Sequence, residues 1–71
     1  MTQQSVLQEA ENLGFICQIN QENRWQILPT NPRATWKLTE TESRWILSIK
    51  NVPQLLLNSQ EAIAFLAEQA V

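Results

Sequence analysis

The apolar positions of the chain repeat with a helical period at both ends and with a period of two between them. Near the start, four apolar residues recur at the spacing of one helix face: Val6, Leu7, Ala10 and Leu13. Gly14 follows them where a left-handed C-cap predicts the end of the helix. Ser5 with Gln8 fits a capping box at the start of this helix, and Thr2 offers an alternative start one turn earlier.

Between residues 15 and 50 apolar residues alternate with polar ones, which is typical of strands with one buried face. Polar turns interrupt the alternation at residues 20 to 23, 30 to 33 and 40 to 43. The residues predicted to face inward are Phe15, Cys17, Ile19, Trp25, Ile27, Ala34, Trp36, Leu38, Trp45, Leu47 and Ile49. Turns at intervals of roughly ten residues predict an antiparallel meander.

The segment from residue 51 to residue 57 does not continue this pattern. Pro53 excludes a central strand because proline lacks the N–H that a ladder requires, so residues 55 to 57 are either a short edge strand or a covering loop. A second helix follows, with Asn58 or Ser59 as its N-cap and Glu61 favourably placed in its first turn. Its predicted apolar stripe consists of Ile63, Leu66, Ala67 and Ala70, with Phe65 to one side.

The predicted fold is one α+β domain spanning residues 1–71. It is an antiparallel four-stranded meander, or a five-stranded one if residues 52–57 pair with the sheet, with an N-terminal and a C-terminal helix packed on one face. One cysteine and no histidine leave neither an internal disulfide nor a Cys–His zinc site to stabilise so short a chain. The core therefore depends on packing, which a partner or a second copy of the chain could extend.

Tryptophan and basic side chains are adjacent in the sequence but are predicted to lie on opposite faces of the sheet. Each tryptophan has a basic neighbour: Arg24 with Trp25, Trp36 with Lys37, and Arg44 with Trp45. Successive residues of a strand point to opposite faces, so the indoles face the helices and the cations face outward. The outer face is the candidate binding face, and its residues are Arg24, Gln26, Leu28, Lys37, Thr39, Arg44, Ile46 and Lys50.

The charge distribution bears on the kind of partner. The net charge is −2, but all five basic residues lie between positions 24 and 50, where only Glu40 and Glu42 oppose them. Leu28 and Ile46 interrupt the polar outer face, as an interface would. The leading hypothesis is a non-enzymatic protein-interaction module or small accessory subunit, with an unknown protein partner or a homodimer. The alternative is nucleic-acid or other polyanion binding through the basic outer face.

The residue types argue against catalysis. The chain has no histidine to activate a nucleophile and only one glycine, so it lacks both a common catalytic triad and a phosphate-binding loop. Cys17 is in phase with apolar neighbours and is expected in the core. We predict no enzymatic activity, no cofactor and no metal site. The chain begins without a signal-peptide pattern and has no apolar run near the ~20 residues of a membrane span, which predicts a cytoplasmic location and no membrane association.

Two resemblances add to these predictions. The stretch RWILSIKNVPQLLLNSQEAIAFL (residues 44 to 66), with LGF at 13 to 15, resembles a family of short uncharacterised cyanobacterial proteins, which implies a bacterial, cytoplasmic origin and no particular activity. The helix–strands–helix order is similar to that of double-stranded-RNA-binding domains. Those domains begin their second helix with lysines, whereas this chain reads SQEAIAF there.

Overall fold

The fold agrees with the predicted class, and residues 52–57 form a fifth strand. A computed structural model describes residues 2–70, with side chains from residue 5 onward. The elements in chain order are α1 (Thr2–Asn12), β1 (Ile16–Ile19), β2 (Trp25–Leu28), β3 (Trp36–Glu40), β4 (Trp45–Ile49), β5 (Val52–Leu57) and α2 (Ser59–Gln69). The strands form one antiparallel sheet in the order β1-β2-β3-β4-β5.

Helix α1 ends as predicted but begins earlier than its capping box indicates. Gly14 adopts a φ of 90°, and its N–H donates to Glu11 O at 3.0 Å while Phe15 N donates to Ala10 O at 2.9 Å. This pair of bonds is a Schellman motif, which satisfies the last carbonyls of the helix. The capping box predicted at Ser5 is wrong, because the helix starts at Thr2 and Ser5 lies inside it.

A tight turn that the sequence analysis missed joins β4 to β5. Lys50 and Asn51 both have a positive φ, 54° and 67°, and Ile49 pairs with Val52 across the turn. Two central residues with positive φ define a type I′ turn, whose twist matches that of an antiparallel hairpin. The turn is harder to recognise than an Asn-Gly pair because a lysine occupies its first central position.

Strand β5 is an edge strand with an irregular first half. Its register shifts between Leu47 and Ser48, so that Gln54 is an extra residue between Pro53, which lies opposite Ser48, and Leu55, which lies opposite Leu47. Such a bulge bends the strand and increases its twist. An edge position also accommodates Pro53, because an outward-facing nitrogen has no ladder partner to lose.

The helix side of the sheet carries the aromatic core. Trp45 is 0% exposed and Trp36 is 8% exposed, which confirms their predicted burial, whereas Trp25 is only half-buried. The ring of Trp36 contacts Phe15 and Phe65 edge to face, with centroids 5.3 and 5.0 Å away. These contacts connect the end of α1, the middle of the sheet and α2, and each such pair contributes about 0.5–1.5 kcal/mol beyond the area that it buries.

Helix α2 has the predicted N-cap but a different buried face. Asn58 Oδ1 accepts from Glu61 N at 2.8 Å, and Glu61 Oε1 accepts from Asn58 N at 2.9 Å, which completes a capping box. The buried residues of the helix are Ala62 and Leu66. Ala67 and Ala70 are exposed, so their assignment to the apolar stripe is wrong. Ala62 is fully buried, although the predicted stripe did not include it.

The buried residues of the three central strands on the helix side should contribute most to the free energy of unfolding. Leu38 is fully buried between Ile27 of β2 and Leu47 of β4. We expect Leu38→Ala to lower the free energy of unfolding by about 2–5 kcal/mol, because the truncation leaves a cavity. The control Ile16→Ala changes a residue of the open side that is 45% exposed, and it should cost about 1 kcal/mol or less. Urea denaturation measures both, and equal losses would contradict this account of the core.

Candidate interaction site

The predicted outer-face residues share the side of the sheet opposite the helices, but the structure divides them between its two ends. Thr39 pairs with Gln26 on one side and with Ile46 on the other, and Gln26 Nε2 donates to Thr39 Oγ1 at 3.4 Å. A groove of about 520 Å³ gathers Arg24, Thr39, Arg44 and Ile46. The other predicted residues, Gln26, Leu28, Lys37 and Lys50, do not line this groove.

The groove lies above the β3–β4 hairpin and has an apolar wall. Ile46 of β4 pairs with Leu56 of β5, and both side chains line it. The hairpin end is closed by Thr41, whose hydroxyl donates to Arg44 O at 3.0 Å and accepts from Arg44 N at 3.1 Å. The sequence analysis did not include Leu56 because its strand was uncertain.

Three glutamates share the groove with the two arginines. Glu22, Glu40 and Glu42 come from the β1–β2 turn, the end of β3 and the β3–β4 turn. Glu40 Oε1 also accepts a hydrogen bond from Trp25 N at 3.3 Å. At neutral pH the groove therefore carries one more negative charge than positive charge. The local excess of basic residues along the sequence does not become a basic surface at this place.

A second, smaller pocket of about 330 Å³ lies between α1 and the first two strands. Leu7, Cys17 and Trp25 form its walls, with Gln8 and Glu11 at its rim. The thiol of Cys17 donates to Leu7 O at 3.8 Å, and it is only partly buried rather than a core residue as predicted. Burial raises the pKa of the Cys17 thiol, and the negative charge of Glu11 raises it further. A raised pKa disfavours the reactive thiolate.

Hydrogen bonds along the β3–β4 ladder determine which main-chain groups of β4 face β5. Thr41 N donates to Arg44 O at 2.8 Å, and Lys50 N donates to Thr35 O at 3.0 Å. The direction of main-chain groups alternates along an antiparallel strand. Even-numbered residues of β4 therefore face β3, and odd-numbered residues face β5.

The same alternation determines the free edge of β5. Leu55 pairs with the odd-numbered Leu47, so its main-chain groups face β4. The N–H and C=O of the next residue, Leu56, which lies opposite the even-numbered Ile46, consequently point away from the sheet. Within residues 2–70 β5 has a neighbouring strand on one side only. This leaves an outward-facing position at Leu56, in the regular half of the strand beyond the bulge.

The side chains next to this edge are apolar and exposed. On the helix side Val52 and Leu55 are 53% and 58% exposed, and on the open side Leu56 is 56% exposed. Ile49, which pairs with Val52, extends the helix-side patch. None of the six residues of β5 carries a charge. Exposed apolar edges without charges are sites at which another strand can add.

The opposite edge of the sheet, strand β1, is less suited to pairing with another strand. Strand β1 has four residues against six in β5, and its exposed aliphatic side chains are Ile16 and Ile19. Short edge strands are one of the ways in which proteins avoid pairing at an edge. The outward edge of β5 is therefore the stronger candidate interaction site.

Comparisons with other proteins give no indication of function. No protein-family model matches the chain, and no significant match exists to a curated protein or to a solved structure. Within the described range the acidic residues and Cys17 form no cluster of three that could hold a metal ion. Neither of the two described helices has the length and apolar character needed to cross a membrane.

The environment of Cys17 predicts a pH dependence of stability. Because the pKa of the folded thiol lies above its ordinary value of 9.0, the unfolded chain loses this proton first as the pH rises. The stabilising contribution is complete below that value and is lost above it, so the free energy of unfolding should fall. The Cys17→Ala variant has no thiol and therefore lacks this pH-dependent contribution to stability. The difference in unfolding free energy between parent and variant should be constant below about pH 8 and should shift against the parent above about pH 9; a constant difference throughout would contradict the raised pKa.

Proposed function

We propose that this chain is a non-enzymatic protein-interaction module that acts by adding a strand of another chain to the outer edge of β5. Strand addition obtains affinity from main-chain hydrogen bonds and specificity from the side chains beside them. β5 offers both, since the N–H and C=O of Leu56 face outward and the side chains of Leu55 and Leu56 are exposed beside them. If the chain is an accessory subunit of a larger complex, the same edge of β5 would bind the neighbouring subunit.

The observation that carries the proposal is the coincidence of free main-chain groups and exposed apolar side chains on one strand. Leu55 and Leu56 are both more than half exposed, and together they present an apolar side chain on each face of the sheet. A paired strand would cover both side chains at once. Burying a leucine side chain contributes about 1.5–3 kcal/mol, so these two residues can supply much of the affinity of a short strand.

The polyanion alternative has less support from the same geometry. Base-stacking proteins need exposed aromatic rings beside their cations. Here Trp36 and Trp45 are buried on the other side of the sheet, and the groove that holds Arg24 and Arg44 contains a larger number of glutamates. The cations that remain on the open side are therefore better explained as the polar surface of a sheet.

The Leu56→Pro variant tests strand addition directly. Proline removes the outward N–H and places its ring where an added strand would lie, but it removes no bond to β4 because that N–H does not face β4. We expect Leu56→Pro to lose association, and the control Leu56→Thr, which keeps the N–H but offers a smaller apolar side chain, to retain it with weaker affinity. The measurement compares, by mass spectrometry and by sedimentation, every chain that the parent and each variant hold, including further copies of itself.

The outcomes of this comparison are distinct. Chains retained by the parent and by Leu56→Thr but lost from Leu56→Pro support strand addition. Equal retention by Leu56→Pro would overturn it. If Leu56→Pro does not fold, amide hydrogen exchange of the parent gives the decision, because the Leu56 N–H should exchange more slowly once a strand covers it. Unchanged exchange at Leu56 in the associated state would then overturn the proposal.

A salt titration tests the polyanion alternative. We expect labelled RNA and DNA not to bind at low ionic strength, because the groove has no excess of positive charge. The matched variant is Arg44→Glu combined with Lys37→Glu, which should behave like the parent in fluorescence anisotropy. Parent binding that strengthens steeply as salt is lowered, and that the double variant loses, would instead favour polyanion binding.

A further inference from the structure

We propose that the smaller pocket, between α1 and the first two strands, binds a small organic amine in its ammonium form, with an apolar group attached to the charged nitrogen. The walls of the pocket are Leu7, Cys17 and Trp25, and Gln8 and Glu11 form its rim. Its volume of about 330 Å³ lies at the lower end of the range of small-molecule sites. This inference goes beyond the proposed function, because the pocket lies at the β1 side of the sheet and β5 forms the opposite edge.

The sheet and α1 together position the walls of the pocket. Cys17 lies opposite Ile27, which belongs to the buried core, and Trp25 lies two residues before Ile27 on the same strand. All three side chains therefore point to the helix side of the sheet. The Cys17 thiol donates to Leu7 O at 3.8 Å, which holds the middle of α1 against β1. An apolar group in the pocket would contact the leucine, the thiol and the indole.

Trp25 is the tryptophan that the core leaves accessible to a ligand. Trp36 and Trp45 are 8% and 0% exposed, whereas Trp25 is half-buried and takes part in neither of the two edge-to-face pairs. Tryptophan attracts a cation over the face of its ring more strongly than the other aromatic side chains do. An ammonium group beside this indole therefore gains an attraction that a neutral group of the same shape lacks.

The charge around the pocket has one sign. Among the described side chains that line it, only Glu11 is charged, and no lysine or arginine precedes Arg24 in the sequence. Arg24 itself lines the groove on the open side of the sheet. Burial raises the pKa of the Cys17 thiol and the negative charge of Glu11 raises it further, so the field of this carboxylate reaches the wall of the pocket. The pocket therefore attracts a cation and repels an anion.

The donor set of the pocket suits an organic cation better than a metal ion. Soft metal ions bind the thiolate form of cysteine, whereas the raised pKa of Cys17 keeps this thiol protonated at neutral pH. Glu11 is then the one charged oxygen ligand that the described lining offers. An ammonium needs a single carboxylate and an aromatic ring beside it, and the lining contains both.

An NMR titration with two matched molecules tests the requirement for charge. Benzylamine carries an ammonium group at neutral pH, and benzyl alcohol has nearly the same shape without the charge. We expect benzylamine to shift the indole N–H signal of Trp25 with a Kd on the order of 1 mM, as its small size allows. Benzyl alcohol should bind about threefold more weakly, and the signals of Trp36 and Trp45 should move less. Equal affinities, or no shift at Trp25 up to about 20 mM benzylamine, would overturn the proposal.

The Glu11→Gln variant tests the carboxylate at the rim. This substitution removes the charge and keeps the size of the side chain, so the Kd for benzylamine should rise about threefold while that for benzyl alcohol stays the same. The control Glu9→Gln removes the same charge from α1 at a position that does not line the pocket. It should leave both affinities unchanged, because residues two apart on a helix point to different sides. Equal effects of the two variants would overturn the proposal.

The single cysteine of the chain locates the bound molecule. Methyl methanethiolsulfonate, a neutral thiol reagent, should modify Cys17 more slowly when benzylamine fills the pocket, and mass spectrometry measures this rate at one site. In Glu11→Gln the same benzylamine concentration should slow the reaction less, when each rate is compared with that of the same variant without benzylamine. An unchanged rate alongside a shift at Trp25 would place benzylamine outside the pocket and would overturn the proposal.

The failure of this proposal can be distinguished from a failure of strand addition. The variant Leu55→Glu changes an exposed residue of β5 and leaves the pocket lining intact, so it should bind benzylamine as the parent does. Loss of benzylamine binding in Leu55→Glu, with the fold retained, would overturn the assignment to this pocket. Binding of benzylamine by a parent that adds no strand at β5 would support this proposal and leave the proposed function without support.

Discussion

The structure depends on burying one large aromatic surface with very little chain. Trp36 and Trp45 are the largest buried side chains of the helix side, and eleven-residue helices cover them. The edge-to-face contacts of Trp36 connect the sheet to Phe15, just after α1, and to Phe65 in the middle of α2. Burial has a cost at Trp45, whose indole N–H has no acceptor in the described part of the chain, a loss of about 1–3 kcal/mol. The area that the ring buries must exceed this cost.

The covering of the sheet by only two helices explains where the surface remains apolar. Ala10 of α1 and Ala62 of α2 are fully buried in the core cluster, and the two helices contact each other over the sheet. Two helices side by side are narrower than a five-stranded sheet, so they cover its outer strands less than its central ones. Leu55 at one edge and Ile19 at the other are both about half exposed on the helix side. The candidate interaction site thus follows from the same packing that forms the core.

The alternation of residues predicted the class, the meander and the separation of indoles from cations, because a period of two fixes the face of every strand residue. It left open whether residues 52–57 form a strand. A type I′ turn at Lys50 and Asn51 has no glycine to indicate it, and Pro53 excluded only a central strand, so an edge strand and a covering loop both remained possible. The acidic lining of the groove was also missed, since Glu22, in the β1–β2 turn, approaches Arg44 only when two separate hairpins fold together.

The first half of strand β5 is protected against pairing with another strand, and the second half is not. Pro53 removes one outward donor and the bulge at Gln54 twists the strand, and both features discourage pairing at an edge. Residues 54 to 57 have no charge and no further proline, although lysine is a common protective residue in such positions. A meander of five strands must end in two edges, and here one edge is short and the other is only half protected. An edge that protects one half and leaves the adjacent leucines exposed suits a limited, specific strand pairing better than unrestricted aggregation.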